Sequence, residues 1–194
     1  MKSSIIIATT NLGKFHEIRA CLAGRFNRFF SLADFEEEID IAEDRSTYLG
    51  NASKKARKIG NRFGFNTLAD DSGLEVDALQ GRPGLFSARY APNDDEKIDR
   101  LLAELDGVPI EKRTASFKAY LAYYRPAGGQ ACIFFGRLKG YIGFERRGEK
   151  GFGFDPVFML PERGRSLAEL STEEKNLISH RGRALAAFKR FLNP

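Results

Sequence analysis

The chain is organised around the segment Leu68-Ala69-Asp70-Asp71-Ser72-Gly73-Leu74-Glu75-Val76-Asp77. An apolar approach from Phe65 to Ala69 leads into two adjacent carboxylates, and Ser72-Gly73 predicts a turn before an alternating pattern resumes. Buried carboxylates are costly unless they are paired or bound to a metal, so this pair at a strand end predicts the oxygen ligands of a hard cation such as Mg2+.

Only one of the two carboxylates is expected to face that site, because successive side chains on a strand point to opposite faces. We choose Asp71, which lies next to the predicted turn. A solvated turn is the alternative, since Asp, Ser and Gly are ordinary turn residues. The segment that follows, from Gly81 to Tyr90, makes the solvated turn less favoured.

Length and composition indicate a globular protein of one domain, with or without two lobes. The 194 residues are 42% hydrophobic and 29% charged, and 31 Lys and Arg against 26 Asp and Glu leave a net charge of +5. This excess suits an anionic ligand but is too small and dispersed to predict nucleic-acid binding. Two cysteines predict neither a disulfide framework nor a zinc site. We expect no membrane span and no signal peptide, and hence a cytoplasmic protein.

A phosphate site is one interpretation of the N-terminal segment. A β-branched strand from Ile5 to Ala8 feeds a polar loop, and a helix follows with Phe15, Ile18 and Leu22 at helical spacing. The free amides and the dipole at the start of such a helix favour an anion. Simple capping of the helix by Asn11 explains the same residues equally well.

Later segments predict the remaining elements. We expect a second strand at Arg25 to Leu32, a solvated acidic loop from Asp34 to Asp44, and amphipathic helices at about Thr47 to Phe63 and at Asp94 to Leu105. Alternation from Thr114 to Ile142 predicts antiparallel hairpins. Parallel βα units followed by hairpins indicate an α/β fold with a mixed, twisted sheet flanked by helices.

The C-terminal third contributes a Gly/Phe loop and a long apolar series. The loop, Gly148 to Phe158, would let the backbone approach a ligand and let phenylalanines stack on a flat base; a hairpin return packed on the core is the alternative. Ser171 to Glu174 predicts a capping box that opens a helix. The apolar series then continues at helical spacing up to Leu192.

Taken together, these segments closely resemble the inosine/xanthosine triphosphate pyrophosphatase family, which acts on non-canonical purine nucleotides. The matching pieces run in family order and cover nearly the whole chain: Ala8-Thr9-Thr10-Asn11-Leu12-Gly13-Lys14, Ala69 to Leu74, Pro83-Gly84 with Ser87-Ala88-Arg89-Tyr90, Gly151 to Pro156, and Glu174-Lys175-Asn176 with Ser179-His180-Arg181. The resemblance implies a single domain over residues 1–194 that is elongated and two-lobed. It also implies a central nucleotide-binding cleft, a homodimer and a Mg2+ requirement.

The resemblance also assigns roles to individual residues. Asp71 matches the proton acceptor and metal ligand, and Glu43 lies where the family has a carboxylate near the metal. The triphosphate loop and a phosphate-contacting lysine match Thr9, Asn11, Lys14 and Lys55; the remaining substrate contacts match Ser72, Phe152, Gly153, Phe154, Asp155, Lys175, His180 and Arg181. The chain departs from the family pattern at Thr10, usually glycine, and at Gly50, where an acidic residue is common.

The implied reaction converts a nucleoside triphosphate and water to the monophosphate and pyrophosphate. We expect ITP, dITP and XTP as substrates, which would keep deaminated purines out of nucleic-acid precursors. Arg181 or Lys175 would donate to the 6-oxo group, whereas the 6-amino group of adenine would leave these donors unpaired. Two other functions remain open: a pyrophosphatase for pyrimidine or other modified nucleotides, and a non-catalytic nucleotide- or RNA-binding module.

The resemblance assigns Lys175 and His180 to the same ligand, and this constrains the path of the C-terminal helix. On a straight helix, Lys175 and His180 would lie about 140° apart and would not converge on one ligand. We therefore predict a short helix from Thr172, a break at Ile178 to Ser179, and a second helix opened by His180 and Arg181.

Overall fold

The computed structural model describes residues 4–35 and 41–193. Within them the strands are β1 Ile5–Ala8, β2 Phe29–Phe30, β3 Thr67–Val76, β4 Thr114–Arg125, β5 Gln130–Ile142, β6 Phe158–Leu160 and β7 Arg165–Ser166. The helices are α1 Leu12–Cys21, α2 Tyr48–Phe63, α3 Asp94–Glu104, α4 Thr172–Ile178 and α5 His180–Leu192.

The strands form one mixed sheet in the order β2-β1-β3-β4-β5-β6-β7. Strand β1 runs parallel to both β2 and β3, while β6 is antiparallel to β5 and β7. Parallel strands need crossover connections, which α1 and α2 provide, whereas short connections join β4 to β5 and β6 to β7. The predicted α/β class, a mixed sheet flanked by helices, is therefore confirmed.

The chain divides into two compact units. Unit 1 comprises Met1–Asp71, Ala119–Gly136 and Arg181–Pro194, and unit 2 comprises Ser72–Lys118 and Arg137–His180. In sequence, the chain first leaves unit 1 directly after Asp71, returns for Ala119–Gly136, and enters it for the last time at Arg181. Two residues selected from the sequence thus stand at the ends of segments of unit 1.

The core of unit 1 has two layers, one on each face of β1. Ile5 and Ile7 pack on one face against residues of α1 and α5, and Ile6 and Ala8 pack on the other face against α2. This separation follows from the two-residue period of a strand. In strand β3, Leu68 likewise packs on the face of α1 and α5, and Ala69 packs on the face of α2. This alternation determines the faces toward which the next two residues, Asp70 and Asp71, point.

Unit 2 has its own core, built from the second half of β3, helix α3 and the later strands. Its fully buried members include Leu74, Leu101 and Phe158. Phe158, the last residue of the Gly/Phe loop considered above, is completely buried in this core.

Strand β3 does not turn where the sequence predicted. Ser72 and Gly73 continue the strand, which runs without interruption from Thr67 to Val76. The turn prediction was therefore wrong. The polar strand is stabilised by contacts that no local pattern reveals, such as the Leu74 amide, which donates to the Ser87 hydroxyl at 2.9 Å.

Other boundaries agree more closely with the predictions. Helix α2 begins at Tyr48 with Thr47 as its N-cap, and α3 begins at Asp94 after the N-cap Asn93. The second strand is much shorter than predicted, with only Phe29–Phe30 assigned. Part of the predicted acidic loop lies outside the described residues, namely Glu36, Glu37, Glu38 and Asp40.

The predicted break near the C-terminus is confirmed. Ser171 closes the predicted capping box with Glu174, and α4 ends at Ile178. Ser179 is extended, with φ −63° and ψ 160°, and α5 begins at His180. In the described part of the chain, no helix is long and apolar enough to cross a membrane.

Candidate active site

The two adjacent carboxylates lie just past the carboxyl end of β1. The last residue of β1, Ala8, pairs with Ala69, so the next two residues of β3 extend beyond it. Asp70 follows the face of Leu68 toward α1 and α5, and Asp71 follows the face of Ala69 toward α2. Both side chains are buried, and they point apart as the sequence predicted.

Asp70 is bound by two cations on its face of the sheet. Its Oδ2 lies 3.0 Å from Lys14 Nζ and 3.1 Å from Arg181 NH2. Although burial favours the neutral acid, Arg181 and Lys14 lower the pKa of Asp70 well below its ordinary value of 3.8. Asp70 is thus a permanently charged anchor rather than a group that exchanges protons.

Glu17 joins the ion pairs of Asp70, Lys14 and Arg181, and it was not selected from the sequence as a site residue. Its Oε2 accepts a hydrogen bond from Arg181 NH1 at 2.5 Å, and both side chains are buried. A carboxylate three residues after Lys14 lies on the same face of α1. That spacing was the only signal available, because the Glu17–Arg181 pair spans 164 residues of sequence.

Asp71 lies in a different environment on the α2 face. Lys55 Nζ lies 3.8 Å from Asp71 Oδ1 and 2.6 Å from Glu43 Oε1, so one ammonium faces two carboxylates. Lys55 also donates to the backbone oxygen of Asp70 at 2.8 Å. Asp71 Oδ2 is buried and accepts no hydrogen bond from any described residue. The structure thus brings Glu43, Lys55 and Asp71 together, as the resemblance implies.

Burial raises the pKa of Asp71 from 3.8 to about 6, and Glu43 adds to the rise while Lys55 and Lys14 oppose it. The neighbouring carboxyl of Asp70 is shifted in the opposite direction. Adjacent titratable groups whose pKa values are driven apart mark an acid–base site. Asp71 is the member of the pair that can accept a proton near neutral pH.

The start of α1 shows the predicted cap. Asn11 Oδ1 accepts from the Lys14 amide at 2.9 Å, and the Asn11 amide donates to Thr9 Oγ1 at 3.2 Å. Helix capping by Asn11 is therefore present. It does not exclude the phosphate interpretation, because Lys14 Nζ lies beside the acidic pair at this helix start.

In unit 2, the Gly151–Asp155 loop surrounds a buried ion pair. Asp155 Oδ2 accepts from Lys175 Nζ and, at 2.9 Å, from the Phe152 amide. The Lys175 ammonium lies 4.6 Å from the centroid of the Phe152 ring. Gly151 has φ +80°, and a Cβ there would collide with the Asp155 carboxylate, so this turn requires glycine. The loop thus holds an aromatic ring and a cation in one place.

The other predicted substrate residues of unit 2 differ in exposure. Phe154 is buried and packs against Tyr90 in the core, with ring centroids 6.0 Å apart. His180 is buried and stacks on Phe117 at 4.7 Å. Ser72 is half-buried in β3. Phe152, which is half-buried, is the more accessible aromatic ring of the loop.

Fold and site together define an α/β protein whose acid–base pair follows the carboxyl end of a parallel strand, a position where such folds commonly bind nucleotides. The Ham1 family model matches residues 5–191. The chain belongs to the Ham1 family.

Known relatives agree with this membership. A dITP/XTP pyrophosphatase of Geobacillus kaustophilus is 52% identical over 184 residues, 93% of this chain and 90% of that protein. A dITP/XTP pyrophosphatase of Geobacter sulfurreducens is 47% identical over 188 residues, 95% and 94% of the two chains. The structure of a HAM1 protein from Coxiella burnetii superimposes with a TM-score of 0.86 at 38% identity, covering 98% of each chain.

Proposed function

We propose that the protein hydrolyses the non-canonical purine nucleoside triphosphates ITP, dITP and XTP to monophosphate and pyrophosphate. The observation that carries the proposal is Asp71: a buried carboxylate with a raised pKa, beside Glu43 and Lys55. The relatives named dITP/XTP pyrophosphatases support the substrate class.

Asp71 would act as the general base. With its pKa near 6, the carboxylate is mostly ionised at neutral pH and basic enough to accept a proton from water. Its Oδ2 makes no hydrogen bond within the described residues, so it is available for this contact. The activated water would attack the phosphorus next to the nucleoside, and pyrophosphate would leave.

Lysine ammonium groups would balance the charge of the triphosphate. Lys14 and Lys55 flank the acidic pair, and each would offset negative charge on the phosphates. Thr9, Asn11 and the first amides of α1 would contact the same phosphates. This arrangement favours phosphoanhydride cleavage, in which positioning and charge neutralisation supply most of the catalysis.

The donor set near Asp71 fits Mg2+. Asp71 and Glu43 offer hard oxygen ligands. The described residues contain no group of three or more His, Cys, Asp or Glu side chains able to hold a metal, so the protein itself would supply few of the ligands. Mg2+ is commonly bound by one or two carboxylates, with water and substrate phosphates as its other ligands. Asp71 and Glu43 would hold the ion, and its charge would polarise phosphate oxygens.

The Gly151–Asp155 loop would recognise the base. The Phe152 ring would stack on the purine, and Lys175 would donate to its 6-oxo group. Of the two donors considered, Lys175 is favoured over Arg181, because NE, NH1 and NH2 of Arg181 all donate to Asp70 or Glu17. The other contacts that the resemblance implies stand as part of this proposal: Ser72, Gly153, Phe154, Asp155, His180 and Arg181.

A substrate panel tests the reaction directly. With Mg2+ present, we expect ITP, dITP and XTP to yield the monophosphate and pyrophosphate, and ATP to be a poor substrate. Separation of products by anion-exchange chromatography and a pyrophosphate-specific assay would identify the bond that is cleaved.

Inosine diphosphate with orthophosphate as first products would place the attack on the wrong phosphorus and contradict the proposal. Preferential cleavage of pyrimidine triphosphates would favour the alternative pyrophosphatase. Binding of ITP without turnover, in the presence of Mg2+, would favour the non-catalytic alternative.

We also propose a cytoplasmic homodimer, as the resemblance implies for assembly. Light scattering coupled to size-exclusion chromatography should give a mass of about twice that of the 21.7 kDa chain. A single species at the monomer mass, across micromolar concentrations, would contradict the dimer.

A further inference from the structure

Both peptide groups that flank the Phe152 Cα are held by carboxylates. The Phe152 amide donates to Asp155 Oδ2 at 2.9 Å, and the Gly153 amide donates to Asp94 Oδ2 at 2.7 Å. Each peptide group is planar, so fixing the one before and the one after a Cα fixes the φ and ψ angles between them. The backbone that carries the Phe152 ring is therefore anchored on both sides.

The two anchors have different origins. Asp155 belongs to the loop itself, whereas Asp94 is the first residue of α3 and lies 59 residues earlier in the chain. Helix α3 does not need Asp94 for its cap, because Asn93 Oδ1 accepts from the Glu96 amide at 2.9 Å. The Asp94 carboxylate is thus free to bind outside its own helix.

Asp94 is a charged acceptor in this contact. Its Oδ1 lies 3.0 Å from Lys97 Nζ, which leaves Oδ2 to the Gly153 amide. Although burial favours the neutral acid, the Gly153 amide and Lys97 lower the pKa of Asp94 below 3.8. Hydrogen bonds to an ionised acceptor are stronger than neutral ones, so the contact is suited to holding a glycine-containing loop.

We propose that Asp94 is a positioning residue for base recognition: by anchoring the Gly153 peptide, it holds the Phe152 ring in the orientation that stacks on the purine. This role rests on the proposed function and adds a residue that does not itself touch the substrate. Because a platform held in place before binding loses less entropy when the ligand arrives, Asp94 contributes to nucleotide affinity. It has no part in the chemistry at the phosphates.

A graded set of variants tests this role. Asp94→Ala removes the acceptor, Asp94→Asn keeps a neutral acceptor, and Asp95→Ala is the matched control. Asp95 is on the same helical turn and carries the same charge, but its side chain is 89% exposed. For ITP we expect KM to rise about threefold in Asp94→Ala, less than for a buried charge-assisted hydrogen bond because the Asp94 side chain is 48% exposed, with kcat changed less than about twofold. Asp94→Asn should be intermediate and Asp95→Ala unchanged.

Hydrogen exchange gives a readout that does not depend on turnover. In Asp94→Ala the Gly153 amide should exchange faster than in the wild type, while the amides of the β4 strand keep their protection. An active Asp94→Ala enzyme with an unchanged KM, or an unchanged exchange rate at Gly153, would overturn the role of Asp94. A fall in kcat with unchanged KM would also overturn it. Wild-type protein that cleaves none of the triphosphates would instead overturn the proposed function, and this role with it.

Discussion

Asp71→Asn should abolish nearly all hydrolysis of ITP while leaving the protein folded. The substitution removes the proposed base, worth about 10²- to 10⁴-fold in rate, and also removes a negative charge from the proposed metal site. Steady-state rates at saturating Mg2+, measured with a pyrophosphate assay, would give the loss. Near-normal activity under these conditions would contradict the assignment of Asp71.

The same variant should not lose stability. The pKa of Asp71 in the folded protein, about 6, lies above the ordinary value of 3.8. The folded state therefore binds its proton more tightly, and the free energy of unfolding falls as the pH rises from about 4 to about 6. Asparagine carries no charge and avoids this loss, so Tm at pH 7 should be equal or higher. Such a gain in stability with a loss of activity is typical of catalytic positions.

Asp70→Asn is the matched comparison one residue away. We expect it to reduce stability more, and the rate of hydrolysis less, than Asp71→Asn does. Asp70 is held ionised by Arg181 and Lys14, so neutralising this buried carboxylate weakens both of its ion pairs. We expect a lower Tm and a smaller loss of rate than for Asp71→Asn. Equal rate losses in the two variants, with equal Tm, would show that the two carboxylates are not divided in this way.

Arg181→Met should destabilise the protein more than Asp71→Asn, Asp70→Asn or Arg183→Met. The substitution leaves Asp70 and Glu17 buried without their shared partner, and breaking a buried ion pair costs about 3–5 kcal/mol. For a chain of this length, that corresponds to a fall in Tm on the order of 10 °C. Thermal unfolding followed by circular dichroism would measure it.

Arg183→Met is the control for this change, because Arg183 is exposed two residues further along α5. It should shift Tm by no more than about 1 °C. Adding Glu17→Gln to Arg181→Met should recover part of the lost stability, since it removes one uncompensated buried charge. A Tm for Arg181→Met equal to that of the control would contradict the network.

Patterns that depend on neighbouring residues were predictable from the sequence. The spacing of apolar residues gave the helices α2 and α3 to within one residue at each end. The alternation of a strand separated Asp70 from Asp71. The break at Ser179 was predicted because the resemblance assigns Lys175 and His180 to one ligand, and because Ser179 is a favourable capping residue. Each of these features is set by contacts within a few residues, which is the range over which propensity and periodicity act.

Features that depend on distant partners were not predictable. The Ser72-Gly73 pair resembles a turn, yet pairing within the sheet keeps it extended. Glu17 and Asp94 resemble ordinary residues of a helix surface. Their partners, Arg181 and Gly153, lie 164 and 59 residues further along the chain, and no local pattern encodes such pairs.

The division of unit 1 into three segments also has a consequence for biosynthesis. Strand β1 and helix α1 leave the ribosome before α5, but their apolar faces pack on Ala184, Leu185 and Phe188 of α5. Domains generally fold as units, so unit 1 cannot be completed until α5 has been made. A nascent chain halted before Arg181 would expose this half-built core and leave Asp70 without its arginine. It would be a ready target for chaperones and proteases.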